Sequence, residues 1–248
     1  GAYYSGSGYS TKANPNQKTE YSISEEAGWR YQGPSVMSSI TFFHYNFTNR
    51  LYTQVITQPN GGYYTTSING GGMHASGVDA EIGTRPFHNF RPYASFEYVD
   101  ARTDNNLAAS GGSVSDYVRS KGKYAPQTAK YQVGFNLDYD DGHFFSGFSL
   151  KYTGSQYATF TNDLKIPSYV RMNVHAGYRF KDMGFLKHPM LKLNIMNIAN
   201  NHYLGFVSGA ATNAKETTGV FGSKISGQST SYMIASPFSV LGTASVDF

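Results

Sequence analysis

The sequence predicts an all-β protein that forms the wall of a transmembrane antiparallel β-barrel. Three observations carry this prediction: apolar and polar residues alternate along about nine segments, aromatic residues are abundant in a chain that is polar overall, and short and long connections alternate strictly. The 248 residues include 21 Tyr and 17 Phe, yet only 15% are charged and the mean hydropathy is −0.42. A sheet with one face against lipid and the other against a wet lumen explains this mixture.

The alternation has a period of two residues, which is the period of a β-strand and not of a helix. In its clearest stretch the apolar positions are Tyr131, Val133, Phe135, Leu137 and Tyr139, and polar or small residues fill the positions between them. Strands are predicted over about 18–32, 35–50, 68–86, 90–104, 126–140, 143–157, 167–181, 189–204 and 230–248. No run of about eighteen apolar residues occurs, which excludes a transmembrane helix.

The connections between these strands predict an orientation. Short turns are expected near residues 33, 87, 141 and 185, and longer connections over 51–67, 105–125, 158–166 and 205–229. Bacterial outer-membrane barrels have short periplasmic turns and long extracellular loops, so Phe248 is expected on the periplasmic side. A soluble β-sandwich has no reason to sort its connections by length.

The predicted strands need further strands to close a barrel. A piece of nine strands would leave two unpaired edges in lipid, so residues 1–248 are expected to complete a barrel whose other strands are supplied elsewhere. No signal peptide follows Gly1, so the natural N-terminus is expected to lie outside this sequence.

Several functional classes find no support in the sequence. The net charge is +4, but Lys and Arg are scattered singly, so no nucleic-acid partner is expected. The seven His show no metal-ligand spacing and Cys is absent, so neither a metal nor another cofactor is expected. No nucleophile elbow and no P-loop is present, and an enzyme is not expected.

Three stretches resemble the TonB-dependent outer-membrane receptor family. Residues 68–81, INGGGMHASGVDAE, resemble the family's N-x-G-x-x-x-x-G-x-E-x-E segment, with Asp79 where Glu is more common. Residues 191–203, LKLNIMNIANNHY, resemble its penultimate strand, and the terminal Phe248 resembles the signal read by the barrel-assembly machinery. Weaker resemblances at 16–31 and 150–157 follow in the family's order, so together they cover most of the chain.

The resemblance implies the C-terminal portion of a roughly 22-stranded barrel whose lumen holds an N-terminal plug. It implies an integral protein of the bacterial outer membrane that binds a scarce, bulky ligand, most commonly a ferric siderophore, and imports it with energy from TonB. Haem, cobalamin, oligosaccharides and metal chelates remain open as ligands. Expected partners are outer-membrane lipid, the remaining strands and plug, the TonB complex, the ligand and the barrel-assembly machinery. Neither a plug nor a TonB box is matched within this chain.

Two groups of candidate site residues follow. The period of two places nine charged residues opposite the apolar face, as wetted lumen wall or plug contacts: Arg30, Asp79, Glu81, Arg85, Glu97, Asp138, Lys151, Arg171 and Arg179. Candidates for ligand binding in the long loops include Tyr63, Tyr64, His74, Arg102, Tyr117, Arg119, Tyr157 and Phe160. Arg suits an anionic siderophore through charge-assisted hydrogen bonds, and Tyr adds stiff contact area with a polar tip.

Two other functions remain open from the residues. An outer-membrane barrel enzyme, such as a phospholipase or protease, would need an acid–His pair, for which His74 with Asp79 or His143 with Asp140 are candidates. A passive porin is the other alternative. A plug domain with a TonB-binding segment would be expected of the receptor alone.

Overall fold

The computed structural model describes residues 2–4, 10–12, 15–57, 63–109, 116–207, 211–230 and 232–247. Side chains are described for these residues except 2–4, 10–12, 52–57, 63–66, 68 and 206. Phe248 and the side chains of Tyr63 and Tyr64 lie outside this description, so their predicted roles stay predictions.

Nine long strands form a single antiparallel sheet in which every strand pairs with its neighbours in the chain. They are β1 (Tyr21–Gln32), β2 (Val36–Thr48), β3 (Met73–Thr84), β4 (Phe90–Thr103), β5 (Tyr131–Asp140), β6 (Phe144–Thr153), β7 (Tyr169–Arg179), β8 (Lys187–Met196) and β9 (Ser239–Asp247). This up-and-down order confirms the predicted all-β architecture and its nine strands. Among the described residues, no helix has the length and apolarity to cross a membrane.

Short strands lie before the first long strand and within the connections between the long strands. Ala2–Tyr4, Ser10–Lys12, Leu51–Thr57 and Tyr63–Asn69 form a small sheet of their own. Pairs of two to four residues join Leu107–Ala108 with Tyr117–Val118, Gln156–Tyr157 with Lys165–Ile166, Leu204–Val207 with Tyr232–Ile234, and Thr217–Thr218 with Lys224–Ile225.

The pairing register divides the sheet into two faces, because directly opposed residues of antiparallel strands point to the same side. From Val133 on β5 the register leads through Phe96, Ala80 and Ile40 to Trp29 on β1. In the other direction it leads to Tyr152 and then Val170. This apolar face leaves large side chains such as Trp29 and Phe42 more than half exposed, as a lipid-facing surface requires.

The opposite, polar face carries the charged residues. From Gln132 on β5 the register leads through Glu97, Asp79 and Thr41 to Gly28 on β1. A cavity of about 560 Å³ runs along this face, so the polar face is the concave side of the sheet. The apolar face is therefore the outer wall of the barrel and the polar face is its lumen wall.

The connections alternate in length as predicted. Turns of residues 33–35, 85–89, 141–143 and 180–186 lie at one end of the sheet, and connections 49–72, 104–130, 154–168 and 197–238 lie at the other. We refer to these ends as the short-turn end and the long-loop end.

Several predicted strands are too long. Those predicted over 126–140 and 143–157 are observed as Tyr131–Asp140 and Phe144–Thr153. The segment predicted over 68–86 begins only at Met73, because Tyr63–Asn69 pairs with Leu51–Thr57 inside the loop and Gly71 has a φ of +76°. The segment predicted over 189–204 ends at Met196, where Asn197 takes a φ of 50°. The segment predicted over 230–248 begins at Ser239, because Tyr232–Ile234 pairs with the loop strand Leu204–Val207.

The outer strands β1 and β9 do not pair with each other in the described part of the chain. All twelve residues of β1 are exposed, and eight of the nine residues of β9 are exposed. Unpaired edges of this length are not stable in lipid, and that strands supplied elsewhere complete the barrel stays a prediction.

One glycine shows how tightly the lumen wall is packed. A Cβ at Gly77 on β3 would fall within van der Waals distance of the Tyr98 carbonyl oxygen and of the Phe43 ring. Phe43 is itself 9% exposed and stacks on Tyr45 at 4.9 Å between ring centroids. The absent side chain is what allows the Phe43 ring to pack against β3 at Gly77.

We expect Gly77→Ala to destabilise the barrel by about 1–3 kcal/mol, because the added methyl group overpacks this contact. Thermal unfolding of the complete protein, followed by the loss of its folded migration on electrophoresis, measures the effect. Gly205→Ala is the matched control, since its Cβ would meet its nearest atom, the Ala235 Cβ, at an ordinary 3.5 Å. Equal melting temperatures for the two variants would contradict the packing role of Gly77.

Candidate functional site

The lumen wall carries two pairs of like charges on directly opposed residues. Asp79 of β3 lies opposite Glu97 of β4, and Lys151 of β6 lies opposite Arg171 of β7. All four side chains line the cavity of about 560 Å³, with β5 between the two pairs. Like charges placed directly across a ladder destabilise a sheet, so each pair needs an opposite charge from another source.

The acidic side is held by neutral donors. The Tyr93 hydroxyl donates to Glu81 at 2.7 Å, the Gln132 amide donates to Glu97 at 3.1 Å, and the Ser39 hydroxyl donates to Glu81 at 3.3 Å. No Lys or Arg forms an ion pair with Asp79, Glu81 or Glu97 within the described chain. Arg30 lies one strand beyond Ser39 in the register and shares a cavity of about 270 Å³ with Glu81.

The basic side has no acidic partner either. Neither Lys151 nor Arg171 forms an ion pair with any described residue, and both side chains are exposed. Together with Gln132 they also line a second cavity, of about 300 Å³, that reaches Gln156 and Tyr169 and the loop residue Gly205. The two cavities therefore form one polar track from the long-loop end down the lumen wall.

Arg179 and Asp138 lie on the same face but nearer the short-turn end. Arg179 makes a bidentate pair with Asp140 at 2.7 and 2.9 Å and covers the Phe145 ring at 4.3 Å. These contacts occupy its guanidinium, in contrast to the free Lys151 and Arg171. Asp138 lies opposite Arg91 on β4.

Arg85 departs from the expectation of a lumen-facing side chain. It follows the last residue of β3 and lines a groove together with Val36, Phe90 and Leu137, which belong to the apolar face. The Arg85 N–H donates to the Ser35 carbonyl oxygen at 2.9 Å, one residue beyond the last pair of β2 and β3, and the chain bends at this residue, where the strand ends.

His74 and Arg102 also differ from the expected loop site. They are opposed to each other on the apolar side of the sheet, two residues beyond Ser76 and Asp100 toward the long-loop end. His74 Nδ1 lies 2.5 Å from Asp104, and Arg102 binds Asp100 at 2.7 and 3.2 Å and covers the Tyr124 ring at 4.3 Å. Both are engaged on the outer wall and neither lines the polar track.

Neither acid–His pair of the enzyme alternative is formed. His74 lies on the outer side of β3 and Asp79 on its lumen side, because the two positions differ by an odd number of residues. His143 Nδ1 lies 3.3 Å from the Arg179 carbonyl oxygen, while Asp140 binds the Arg179 guanidinium.

The described parts of the long connections 104–130, 154–168 and 197–238 pack into one body, which we call the loop layer. One of its apolar clusters takes Leu107 and Val118 from the first loop, Phe160 from the second and Ile225 from the third. Phe160, a candidate for ligand contact, is only 1% exposed and serves as a core residue of this layer. The long loops therefore form a folded structure above the sheet.

Two aspartates hydrogen-bond one loop to another, and we call each set of these contacts a clasp. Asp116 in the first loop accepts hydrogen bonds from the backbone N–H groups of Phe221 at 2.9 Å and Ser223 at 3.0 Å in the third. Asp163 in the second loop accepts from the N–H groups of Ala214 and Lys215 in the third, at 2.9 and 2.8 Å. Side-chain acceptors that satisfy backbone donors in this way fix the loop conformation.

The electrostatics of these carboxylates follows from their contacts. Burial raises the pKa of Asp116, but the N–H groups of Phe221, Tyr117 and Ser223 lower it more strongly, to about 2. Burial also raises the pKa of Asp163, but the Thr159 hydroxyl and the backbone N–H groups hold it below its usual value. Both groups are ionised at neutral pH.

The remaining loop candidates border this layer. Tyr117 is 44% exposed and contacts the edge of Phe221, with ring centroids 5.9 Å apart. Arg119 donates to the Gly219 carbonyl at 3.3 Å, and Tyr157 stacks on Tyr124 with centroids 6.1 Å apart. Their contribution to ligand binding stays a prediction.

The motif after β8 has a structural role that the sequence did not indicate. The buried Asn197 side chain accepts from Asn201 N–H at 3.0 Å and donates to the Asn201 and Ser236 carbonyls. Tyr203 then stacks on Tyr169 at 4.0 Å. Asn197, six residues after Leu191 in the motif, therefore joins the start of the third loop, at Asn201, to its end, at Ser236.

The antiparallel up-and-down sheet, with one apolar face and one polar face, is the wall of a transmembrane β-barrel. The profile described as "TonB dependent receptor-like, beta-barrel" matches residues 1–198, and this chain belongs to the TonB-dependent receptor family. Members of this family are β-barrels of the outer membrane. No curated protein sequence matches the chain.

Solved structures share the fold. The chain is similar to FyuA, the ferric yersiniabactin uptake receptor from Yersinia pestis, with 15% identity and a TM-score of 0.64 over 92% of this chain and 30% of that one. It is similar to BauA, the ferric preacinetobactin receptor from Acinetobacter baumannii, with 15% identity and a TM-score of 0.63 over 96% and 32%. The copper transporter OprC gives 13% identity and a TM-score of 0.62 over 94% and 32%. The chain spans about a third of these proteins, and at such identities the likeness concerns the fold alone.

Removal of one clasp is expected to loosen the third loop. In Asp116→Ala the amides of Phe221 and Ser223 lose their acceptor, so their hydrogen exchange in the complete receptor should accelerate. The control is Glu216→Ala, which removes an exposed carboxylate of the same loop that pairs with Lys224 at 3.7 Å. Exchange that is equally fast, or equally slow, in both variants would contradict the clasp.

The clasp is also expected to depend on pH in the acid range. Its folded pKa of about 2 lies below the ordinary Asp value of about 3.9, so the clasp stabilises fully above about pH 4 and is lost as pH falls toward 2. Because the chain has no Cys, nitroxide labels at Lys123→Cys and Lys224→Cys report the distance between the loops. The distance distribution should stay narrow at about pH 5 and broaden below about pH 4. A distribution that broadens above about pH 5 would contradict this assignment.

Proposed function

We propose that this chain is part of a receptor that captures a bulky anionic ligand, such as a ferric siderophore, at its outer face and imports it with TonB-derived energy. The long-loop end faces the exterior, and the short turns and the C-terminus face the periplasm. Family membership supports the import role, and the named ligands of FyuA and BauA support iron chelates as cargo.

The observation that carries the proposal is the unpaired cationic couple of Lys151 and Arg171. Both lie near the long-loop end of the lumen wall, on the polar track beneath the loop layer. In the cavity of about 300 Å³ these two cations are the only charged residues of the described lining. A cleft lined by one sign of charge concentrates ligands of the opposite sign, and Arg binds carboxylates in a bidentate manner. Gln132, Gln156 and Tyr169 add neutral polar groups to the same lining.

The loop layer gives this site a preformed entrance. The clasps of Asp116 and Asp163 hold the loops together before any ligand arrives, which reduces the entropy that binding must overcome. The exposed face of Tyr117 and the guanidinium of Arg119 lie on the same loop as Asp116. These two residues are the outer contacts that we propose for the ligand.

The acidic residues of the wall serve the plug in this proposal. Glu81 and Glu97 accept from neutral donors, and no described Lys or Arg pairs with them or with Asp79, so a basic segment of the plug would supply the missing opposite charge. Arg30 lies beside Glu81 and would contact an acidic group of the same domain. Energy from TonB would then reach the wall through these contacts.

The proposal predicts that Lys151→Gln and Arg171→Gln each weaken binding of an anionic ferric siderophore by about tenfold to a hundredfold. The reason is the loss of one charge-assisted hydrogen bond, worth about 1.5–3 kcal/mol. Binding to the purified complete receptor is measured by titration calorimetry at two ionic strengths. The control is Lys192→Gln, a lumen-facing cation of β8 that lies outside both cavities.

A second readout separates ligand binding from a contact with the plug. If Lys151 and Arg171 held an acidic plug segment, their substitution would raise the ion conductance of the receptor in planar bilayers and leave affinity unchanged. Unchanged affinity in both variants would refute the assignment of this couple to the ligand.

A further inference from the structure

A second concave surface lies on the other side of the wall, at the short-turn end. It is a groove of about 440 Å³ whose lining includes Val36, Phe90, Pro92 and Leu137, with Arg85 and His88 at one side. Its volume lies within the range of about 300–1,000 Å³ that is usual for small-molecule sites. Neither the receptor family nor the polar track accounts for it.

The groove belongs to the lipid-facing surface. Phe90 is opposed to Tyr139, and Pro92 is opposed to Leu137, and these residues continue the apolar face that runs through Val133. Its floor is therefore continuous with the surface that contacts acyl chains. All its lining residues come from the first two short turns and from β2 to β5, so the groove is complete without the strands that close the barrel.

The charge at the groove is of one sign. No carboxylate lines it, and Arg85 forms no ion pair with any described residue. The nearest acidic turn residues are committed elsewhere, since Asp140 binds Arg179 and Asp141 accepts from the backbone of His143 and Phe144. An arginine beside an apolar floor suits a ligand with a phosphate at one end and hydrocarbon at the other.

We propose that this groove is a binding site for a glycerophospholipid of the adjacent leaflet. One acyl chain lies along Val36, Pro92 and Leu137, and the Arg85 guanidinium donates to the phosphodiester oxygens. His88, whose ring stands edge-on to Phe87 at 4.3 Å, lies at the head-group level. The assignment to the periplasmic leaflet rests on the orientation given in the proposed function. The assignment of the groove as a lipid site does not depend on that orientation.

Native mass spectrometry of the complete receptor in a non-ionic detergent tests the site with added phosphatidylglycerol. We expect Arg85→Gln to weaken the lipid adduct by about tenfold, as the loss of one charge-assisted contact would. The matched control, Arg91→Gln, removes a cation of the same strand end whose side chain lies on the polar face opposite Asp138. Because the protein is in detergent, the result depends neither on its orientation in a membrane nor on ligand import.

Two further measurements identify the source of the bound phosphate and the role of the apolar residues that line the groove. Diacylglycerol, which has no phosphate, should bind the native protein and Arg85→Gln equally, and Val36→Trp, which fills the groove, should abolish binding of both lipids. Inorganic phosphate should give no saturable adduct. Equal losses in Arg85→Gln and Arg91→Gln, full binding by Val36→Trp, or Arg85-dependent binding of inorganic phosphate would each overturn the proposal.

Discussion

Backbone hydrogen bonding between strands that are consecutive in the chain is the constraint on which the rest of the structure depends. Within lipid no water replaces a missing ladder bond, so each strand must pair along its whole length. Opposed residues share a side, and this pairing sorts the side chains into two faces, which a slip of one residue would exchange. The register from Trp29 through Val133 to Val170 contains no slip. The continuous apolar wall and the continuous charged wall are both consequences of that register.

The wall could be predicted from the sequence because its information is local. Alternation within ten residues identifies a strand such as β5, and it also assigns Glu81 and Arg171 to the lumen side without knowledge of their neighbours. Strand ends were predicted less well for a physical reason. β3 begins only after Gly71, which turns the backbone, and β9 begins only after Tyr232–Ile234, which pairs with the loop strand Leu204–Val207. The pairing within the loop joins residues far apart in sequence, so local alternation does not reveal it. The alternation itself already places His74 on the outer side, since it differs from Asp79 by five positions.

The loop layer could not be predicted, because its contacts are non-local and involve few residues. Asp116 reaches Phe221 and Ser223 more than a hundred residues later, and nothing in the local sequence distinguishes it from a solvated loop aspartate. Phe160 looks like an exposed aromatic ligand contact until Leu107, Val118 and Ile225 are brought around it. The signal available in the sequence was the density of Asn, Asp and Gly in these loops. That density is typical of turns that hydrogen-bond their own backbone.

The charges of the lumen wall show why this sheet is not electrostatically self-sufficient. Glu97 and Lys151 lie on strands separated by β5, so two strand spacings, about 10 Å, divide the opposite charges, and this is close to the screening length at physiological salt. Asp79 and Glu97, by contrast, are directly opposed, as are Lys151 and Arg171, at about half that distance. Repulsion within each pair therefore exceeds the attraction between the pairs, and groups of opposite sign in the lumen lower the energy of the wall. Under the proposed function, a plug that meets the acidic couple and a ligand that meets the basic couple would satisfy both at once, and arrival of the anion would complete the electrostatics of the wall.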